Sequence, residues 1–357
     1  MKNLKIGNRK IGLKYSSYFI ADIGANHDGS LKRAKKLIKL AKQSGADAAK
    51  FQHFAAESIV SDDGFKKLKG IKTHQNKWKK SVYSVYQAAS VNKQWTKVLK
   101  KYCDQIGIEF MTSPYSLKIV DEINSYVKAI KIGSGDITWI DIIKKIANKK
   151  KIGILATGAS NLNEVKEAVK EYLKINKSLV IMQCNTNYTG NENNINFVNL
   201  NVLKQYKKIF PNIILGLSDH TFGHASVLGA ITLGARVIEK HFTDNNNRVG
   251  PDHFFAMNPV SWKEMIKASR ELESALGDGI KKIEKNENTS IVVQRRSIRV
   301  NQKLGKGTIV KENMLDYLRP CPKGALNPSN KKMILNKKLK RNLKYHDVIK
   351  LSDVKKK

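Results

Sequence analysis

Two histidines, each closing an apolar run, are the residues of this chain best placed for chemistry. IILGLSD is followed by His220, and ARVIEKHF carries His241 behind Glu239 and Lys240. If the two runs are neighbouring strands, neutral imidazoles at their ends could share one divalent metal. With no cysteine beside them, such a site keeps positions open for water and substrate oxygens. Two histidines hydrogen-bonded to backbone groups would leave the same residues, so both readings stay open. Lys50 closes ADAAKFQ, and Lys131 lies in VKAIKIGSGD. A lysine at the end of a buried run needs an anionic partner, because an unpaired buried ammonium is costly. That partner is a bound phosphate or carboxylate, or a carboxylate of the chain such as Asp22 or Glu239. Strand ends are where barrel loops gather, which favours anion binding. Ser134 and Gly135 could add hydroxyl and backbone N–H donors to the same oxyanion. Asp22 and Glu239 are the candidate acid–base carboxylates, with salt bridging to the lysines as the other role open to them. Cys184, inside an apolar run, reads as an inert core thiol. His27, His53 and His224 read as solvent-facing or capping.

The elements that must position these groups alternate. Strands are expected at YFIADIG, ADAAKFQ, IEFMTSP, VKAIKIGSGD, IGILATG, LVIMQCNTNY, IILGLSD and ARVIEKHF, each ending in polar residues and followed by a helical pattern. Leu31, Ala34, Leu37, Ile38 and Ala41 share one helical face, and Gly45 stops that helix. Asn161 with Glu164 forms an N-cap and its N3 partner. About eight strand–helix pairs favour a (β/α)8 barrel. A doubly wound sheet would want GxGxxG after the first strand, and GANHDG is not that. Residues 53–92 form a long polar insertion, which reads as an active-site loop. The pattern changes at GDGIKKIEKNENTS, so the barrel is expected over residues 1–280, a linker over 281–294, and a small β-rich module over 295–357. Its strand-like segments are RRSIRVNQ, GTIVKE, LDYLRP and KYHDVIKLSD. Such a module is near the lower limit for an independent core and should lean on the barrel or on a partner subunit.

Composition narrows the class. The 357 residues are 41% hydrophobic and 27% charged, as in a globular enzyme. No apolar run of about 20 residues is present, so no membrane span is expected. The start, MKNLKIGNRKIGLKY, lacks the continuous apolar stretch of a signal peptide, and Cys103, Cys184 and Cys321 form no CxxC. A cytoplasmic location follows as the expectation. Sixty-six Lys and Arg against 30 Asp and Glu give a formal charge of +36. No nucleic-acid motif accompanies that charge, and Lys32, Lys35, Lys36, Lys39 and Lys42 avoid the apolar stripe of their helix, so nucleic acid is not an expected partner. A basic surface would raise the encounter rate with an anionic, phosphorylated substrate.

IADIGANHDGSLKRAKKLI, GADAAKFQ, KIGSGD, ATGAS, GLSDHT, EKHF and GPDH, in this order and spacing, resemble the sialic acid synthase family, which includes legionaminate and pseudaminate synthases. The tail RRSIRVNQKLGKGTIVKENM with YLRP looks like the antifreeze-like SAF domain at the C-terminus of those enzymes. The resemblance implies a transferase: a (β/α)8 TIM barrel joined to a SAF domain, acting as a domain-swapped homodimer. It implies condensation of phosphoenolpyruvate with an N-acetylmannosamine-like or diacetamido-dideoxy aldose to a nine-carbon 2-keto sugar acid, with release of phosphate. The positions matching His220 and His241 would hold Mn²⁺ or Mg²⁺, and those matching Lys50, Lys131, Ser134 and Gly135 would hold phosphoenolpyruvate. Gln52, Tyr188, Asp252 and Glu239 would line the sugar side, and Arg319 would reach into the partner's site. The chain departs from the family in having Asp at 22 and at 136 where Glu is usual, Gln183 in place of His, Thr189 in place of Pro, and Cys321 in place of Gly. Two other readings stand beside it. One is a different phosphoenolpyruvate aldol-type sugar acid synthase, which would need a second phosphate-binding set. The other is a non-catalytic carbohydrate-binding protein, supported by the two Asp-for-Glu departures alone.

Overall fold

Eight apolar runs of four to six residues close into one parallel barrel in the computed structural model of the chain, which describes residues 3–68, 75 and 78–355. A hairpin, β1 (Leu4–Ile6) and β2 (Arg9–Ile11), comes first. The barrel strands follow as β3 (Tyr18–Asp22), β4 (Ala48–His53), β5 (Glu109–Pro114), β6 (Ala129–Ile132), β7 (Ile152–Ala156), β8 (Leu179–Cys184), β9 (Ile214–Asp219) and β10 (Val237–His241), with β10 pairing β3 to close the ring. These runs read as nearly continuous hydrophobic stretches because both faces of each strand are covered. One set of alternate residues, including Phe19, Phe51, Phe110 and Leu217, packs on the surrounding helices. The other set, including Tyr18, Ile20, Met111, Val180, Ile214 and Val237, fills the interior together with Leu4, Ile6 and Ile11 of the hairpin.

Helices α1 (Leu31–Gln43), α4 (Trp95–Ile106), α5 (Leu117–Ile123), α6 (Ile140–Asn148), α7 (Leu162–Ile175), α8 (Val202–Ile209), α9 (Ala225–Thr232) and α10 (Pro259–Ala275) surround the strands. Their ends follow the expected signals. Asn161 accepts from the backbone N–H of Glu164 at 3.1 Å, and Glu164 accepts from that of Asn161 at 2.7 Å. Gly45, with φ +93°, follows the end of α1. Of the lysines on α1, Lys32, Lys36, Lys39 and Lys42 are exposed. The insertion is less featureless than its composition suggests: α2 (Asp62–Lys67) and α3 (Val82–Ala89) lie in it, Ser81 caps α3, and residues 69–74 and 76–77 lie outside the described residues, as do residues 356–357.

The chain divides into two compact units, 1–277 and 278–357. Residues 281–294, expected as linker, belong to the second unit and carry α11 (Asn288–Gln294). In that unit β11 (Ser297–Val300) pairs antiparallel with β12 (Leu315–Leu318). The stretches GTIVKE and KYHDVIKLSD form single bridges, Ile309 to Lys338 and Arg299 to Val348, where strands were expected. Ile298, Val300, Val310, Ile334, Leu339 and Ile349 make its small core. Among the described residues no helix is long and apolar enough to cross a membrane.

Candidate active site

The strand register places Asp22 opposite both Lys50 and His241, and Glu239 opposite Ser218. Side chains two residues apart face the same way, so the polar residues at the strand ends sort into two sets. Ser218, His220, Glu239 and His241 point into the barrel mouth, whereas Asp219 and Lys240 point away from it. The inward set lines a cavity of about 430 Å³ together with Asp22, Lys50, Gln52, Lys131, Ser134, Gly135, Cys184, Tyr188 and Asp252. Every site residue expected from the sequence is therefore in one place except Arg319, which belongs to the second unit and is exposed there.

The floor of the cavity is ionic. Lys50 Nζ lies 2.7 Å from Asp22 Oδ2, and Lys131 Nζ lies 3.2 Å from Glu239 Oε1; all four side chains are no more than 5% exposed. Glu239 Oε1 is also 3.8 Å from Lys50 Nζ and accepts from Ser218 Oγ at 3.3 Å, while its Oε2 is buried without a hydrogen-bond partner. Asp22 accepts further from Gln52 Nε2 at 3.1 Å and from the Gly24 N–H at 3.0 Å. Burial favours a neutral Asp22, but Lys50, His241 and Lys131 outweigh it and hold the carboxyl well below the usual range. Burial likewise disfavours the Lys50 ammonium, and Asp22 and Glu239 raise its pKa above the ordinary value regardless. Each lysine is thus paired with a carboxylate of the chain, and each also lines the cavity. Beside Lys131, the Ser134 hydroxyl accepts from the Gly158 N–H at 3.0 Å, and Gly135 has open space around it. Burial pushes the Asp136 carboxyl up to about 6, with Lys131 opposing.

The other side is built from imidazoles. The rings of His220 and His241 have centroids 5.4 Å apart. Tyr188 packs edge-on against His220 at 4.5 Å, and Phe255 against His241 at 5.1 Å. His220 Nδ1 donates to the Asn185 carbonyl at 2.9 Å, which leaves the Nε2 lone pair free. His241 Nδ1 has no hydrogen-bond partner, although Asp252 Oδ2 is 3.7 Å away, and His241 Nε2 is 3.6 Å from Asp22 Oδ2. Burial lowers the His241 pKa, and His220 and Lys50 add to that against Asp22 and Asp252. At His220 burial acts the same way, but the Cys184 sulfur, 3.9 Å from Nδ1, and the Asn185 carbonyl shift it upward. A side chain at Gly24 would be strained: its φ is +49°, and a Cβ would displace Asp252 Oδ2, 2.8 Å away.

A divalent metal fits this side. The buried His241 Nδ1 without a hydrogen-bond partner and the His220 ring held through Nδ1 by the Asn185 carbonyl are two nitrogen donors that such an ion would use, with water completing its shell. Among the described residues no three histidine, cysteine or carboxylate side chains are grouped closely enough to hold a metal ion by themselves.

Three expectations change. Cys184 is not packed away in the core but lines the cavity between Thr186 and His220. His53 is buried between Thr112 and Thr96, with its pKa pushed down to about 4 chiefly by burial. His27 is also buried, accepting from the Gly29 N–H at 3.1 Å. The aromatic wall of Phe54, Tyr86 and Tyr115, with ring centroids 5.4 and 5.9 Å from Phe54, was not anticipated. Tyr115 continues the period-two series Met111, Ser113 and was findable; Phe54 and Tyr86 come from the insertion and were not.

The model of the NeuB family matches residues 37–281. The chain is 37% identical over 306 residues to N,N'-diacetyllegionaminic acid synthase of Campylobacter jejuni, covering 85% of this chain and 90% of that one. It is 34% identical over 350 residues to N,N'-diacetyllegionaminic acid synthase of Legionella pneumophila, covering 94% and 96%. Among solved structures, N-acetylneuraminic acid synthetase of Leptospira borgpetersenii, in complex with citrate, superposes with a TM-score of 0.71 at 26% identity over 81% of this chain and 95% of that one.

Proposed function

Because the chain belongs to the NeuB family, we propose that it condenses phosphoenolpyruvate and water with an N-acylated aldose, giving a nine-carbon 2-keto sugar acid and inorganic phosphate. The observation that carries this reading is the convergence of two lysines and two histidines on one buried cavity at the carboxyl ends of the barrel strands. The sugar is of the N-acetylmannosamine or diacetamido-dideoxy type, and the identity to two legionaminic acid synthases favours the latter.

Lys50 and Lys131 bind the anionic groups of phosphoenolpyruvate, exchanging part of their pairing with Asp22 and Glu239 for the ligand. Ser134 and the Gly135 N–H add neutral donors on the same side. Gln52, Tyr188, Asp252 and Glu239 contact the aldose and turn its aldehyde toward C3 of phosphoenolpyruvate. His220 and His241 would hold Mn²⁺ or Mg²⁺, which when bound supplies Lewis-acid polarisation of the aldehyde. Carbon–carbon bond formation at C3 is followed by addition of water at C2 and departure of phosphate from the resulting tetrahedral centre. Asp22 and Glu239 are the carboxylates placed to move the protons that these steps require. We read the second unit as a SAF domain that presents Arg319 to the partner subunit's site in a homodimer, and the protein as cytoplasmic.

The test is phosphate release from phosphoenolpyruvate with Mn²⁺ and a panel of N-acylated hexoses. Turnover is expected with at least one, and His220→Ala should reduce it to background while the far-UV spectrum is unchanged. No release with any sugar while Mn²⁺ is demonstrably bound would overturn the reading.

A further inference from the structure

Four lysine–carboxylate ion pairs among the described residues have both side chains no more than 5% exposed. Three of them are formed by cavity-lining groups. The fourth, Lys240 with Asp219, lies behind the cavity wall, and its side chains are each 2% exposed. A buried pair of this kind is weak evidence for stability, since apolar replacements of similar volume are often as stable. Its surroundings give it a second role. Lys240 Nζ contacts Asp219 Oδ2 at 2.5 Å and donates to the Thr221 carbonyl at 2.6 Å. One ammonium therefore grips both neighbours of His220, and it sits on the residue immediately before His241. The same carboxylate accepts from the Thr221 N–H at 3.2 Å and hydroxyl at 3.0 Å, closing a turn around His220. Ser226 Oγ, in the first turn of α9, donates to it at 2.6 Å and ties that turn to the helix.

Resting on the reading of the two histidines as metal ligands, we propose that Asp219 and Lys240 are positioning residues that set the separation of His220 and His241 and thereby the affinity for the divalent ion. Neither touches the cavity. They act by fixing the bend at residues 219–221 of one strand end against the adjacent strand end, whose cavity-facing side chains are the ligands. The phosphoenolpyruvate lysines stand on β4 and β6 and meet β10 through Glu239, whose side chain faces the cavity and makes no contact with this tie, so the tie reaches them less directly than it reaches His220 and His241. That asymmetry separates a positioning role from a merely structural one, which would disturb both halves alike.

The experiment measures Mn²⁺ binding to the full-length protein from the loss of the free-ion electron paramagnetic signal, and phosphoenolpyruvate binding calorimetrically. In the charge-neutral variant Asp219→Asn/Lys240→Met, Mn²⁺ affinity is expected to fall about tenfold or more, with phosphoenolpyruvate affinity within about twofold of wild type. Should that variant not fold, Ser226→Ala/Thr221→Val loosens the same carboxylate and leaves the ion pair; a loss of about threefold or more in Mn²⁺ affinity alone is expected. Unchanged Mn²⁺ affinity in a folded variant, or parallel losses for both ligands, overturns the proposal. A wild-type protein that leaves the free-ion signal untouched overturns the metal reading and this inference with it.

Discussion

The barrel interior has two ends made from the same strands, and they solve opposite problems. At the amino end, Tyr18, Met111, Val180, Ile214 and Val237 meet the hairpin's Ile6 and Ile11 in an apolar plug that is at most 2% exposed. At the carboxyl end, two to four residues further along, the same alternation delivers Asp22, Lys50, Lys131, Ser218, Glu239 and His241, also buried. The apolar end gains free energy from being dry. The polar end loses it, and each charge there is tolerated because another lies beside it, as Lys50 does beside Asp22 and Lys131 beside Glu239. Stability and chemistry are therefore separable by layer along each strand. Under the proposed function, ligand binding competes with pairs that already exist, which makes these pairs the place to test it.

The sharpest way to break this comparison is to neutralise one pair. Lys131→Met/Glu239→Gln replaces charges with groups of similar size and should leave the melting temperature unchanged or raised, because such replacements are often stabilising by about 1–4 kcal/mol. The same variant should lose about 10²–10³-fold or more in kcat/KM for phosphoenolpyruvate. A drop in melting temperature with activity retained would mean that this layer holds the fold and does no chemistry. The counterpart is Ile214→Ala in the apolar plug, where a large-to-small change costs about 2–5 kcal/mol in denaturant unfolding. Its kcat/KM at low temperature should stay within about twofold of wild type, since no cavity group is touched. If instead activity collapses with little loss of stability, the two layers are mechanically coupled.

How much of this was legible follows from the same physics. The barrel could be read because parallel strands covered on both faces appear as unbroken apolar runs, and the strand ends stood out as the places where those runs turn polar. Lys50, Lys131, His220 and His241 were found that way. Less visible was which of three consecutive polar residues faces inward. Glu239, Lys240 and His241 look equivalent as a string, and the period-two register, carried back from Val237, separates Lys240 from the others. The same rule places Cys184 in line with Val180 and Met182 and so in the cavity. The hairpin β1–β2 had a signal, a Gly7-Asn8 loop between alternating residues with Gly7 at φ +58°, that was too short to stand out. The aromatic wall had none, because Phe54 and Tyr86 meet Tyr115 through the path of an insertion.

The smallest effect concerns Asp136, at the edge of the polar layer. Burial holds its carboxyl at about 6 against the pull of Lys131, so this corner of the cavity gains a negative charge as pH rises from 5 to 7. An anion bound by Lys131 and Ser134 is repelled by that charge, and the KM for phosphoenolpyruvate should rise on the order of threefold across this interval. Phosphoenolpyruvate itself titrates in the same range, so the decisive quantity is the ratio of wild type to Asp136→Asn, in which the substrate's ionisation cancels. By reciprocity, bound phosphoenolpyruvate must raise the Asp136 pKa by the factor through which ionised Asp136 weakens binding. The Asp136 limb should therefore appear near 6 in kcat/KM, which reports the free enzyme, and at higher pH in kcat, which reports the complex. Identical profiles for the two proteins would place the charge of Asp136 outside the reach of the bound anion and confine the polar layer to the paired residues.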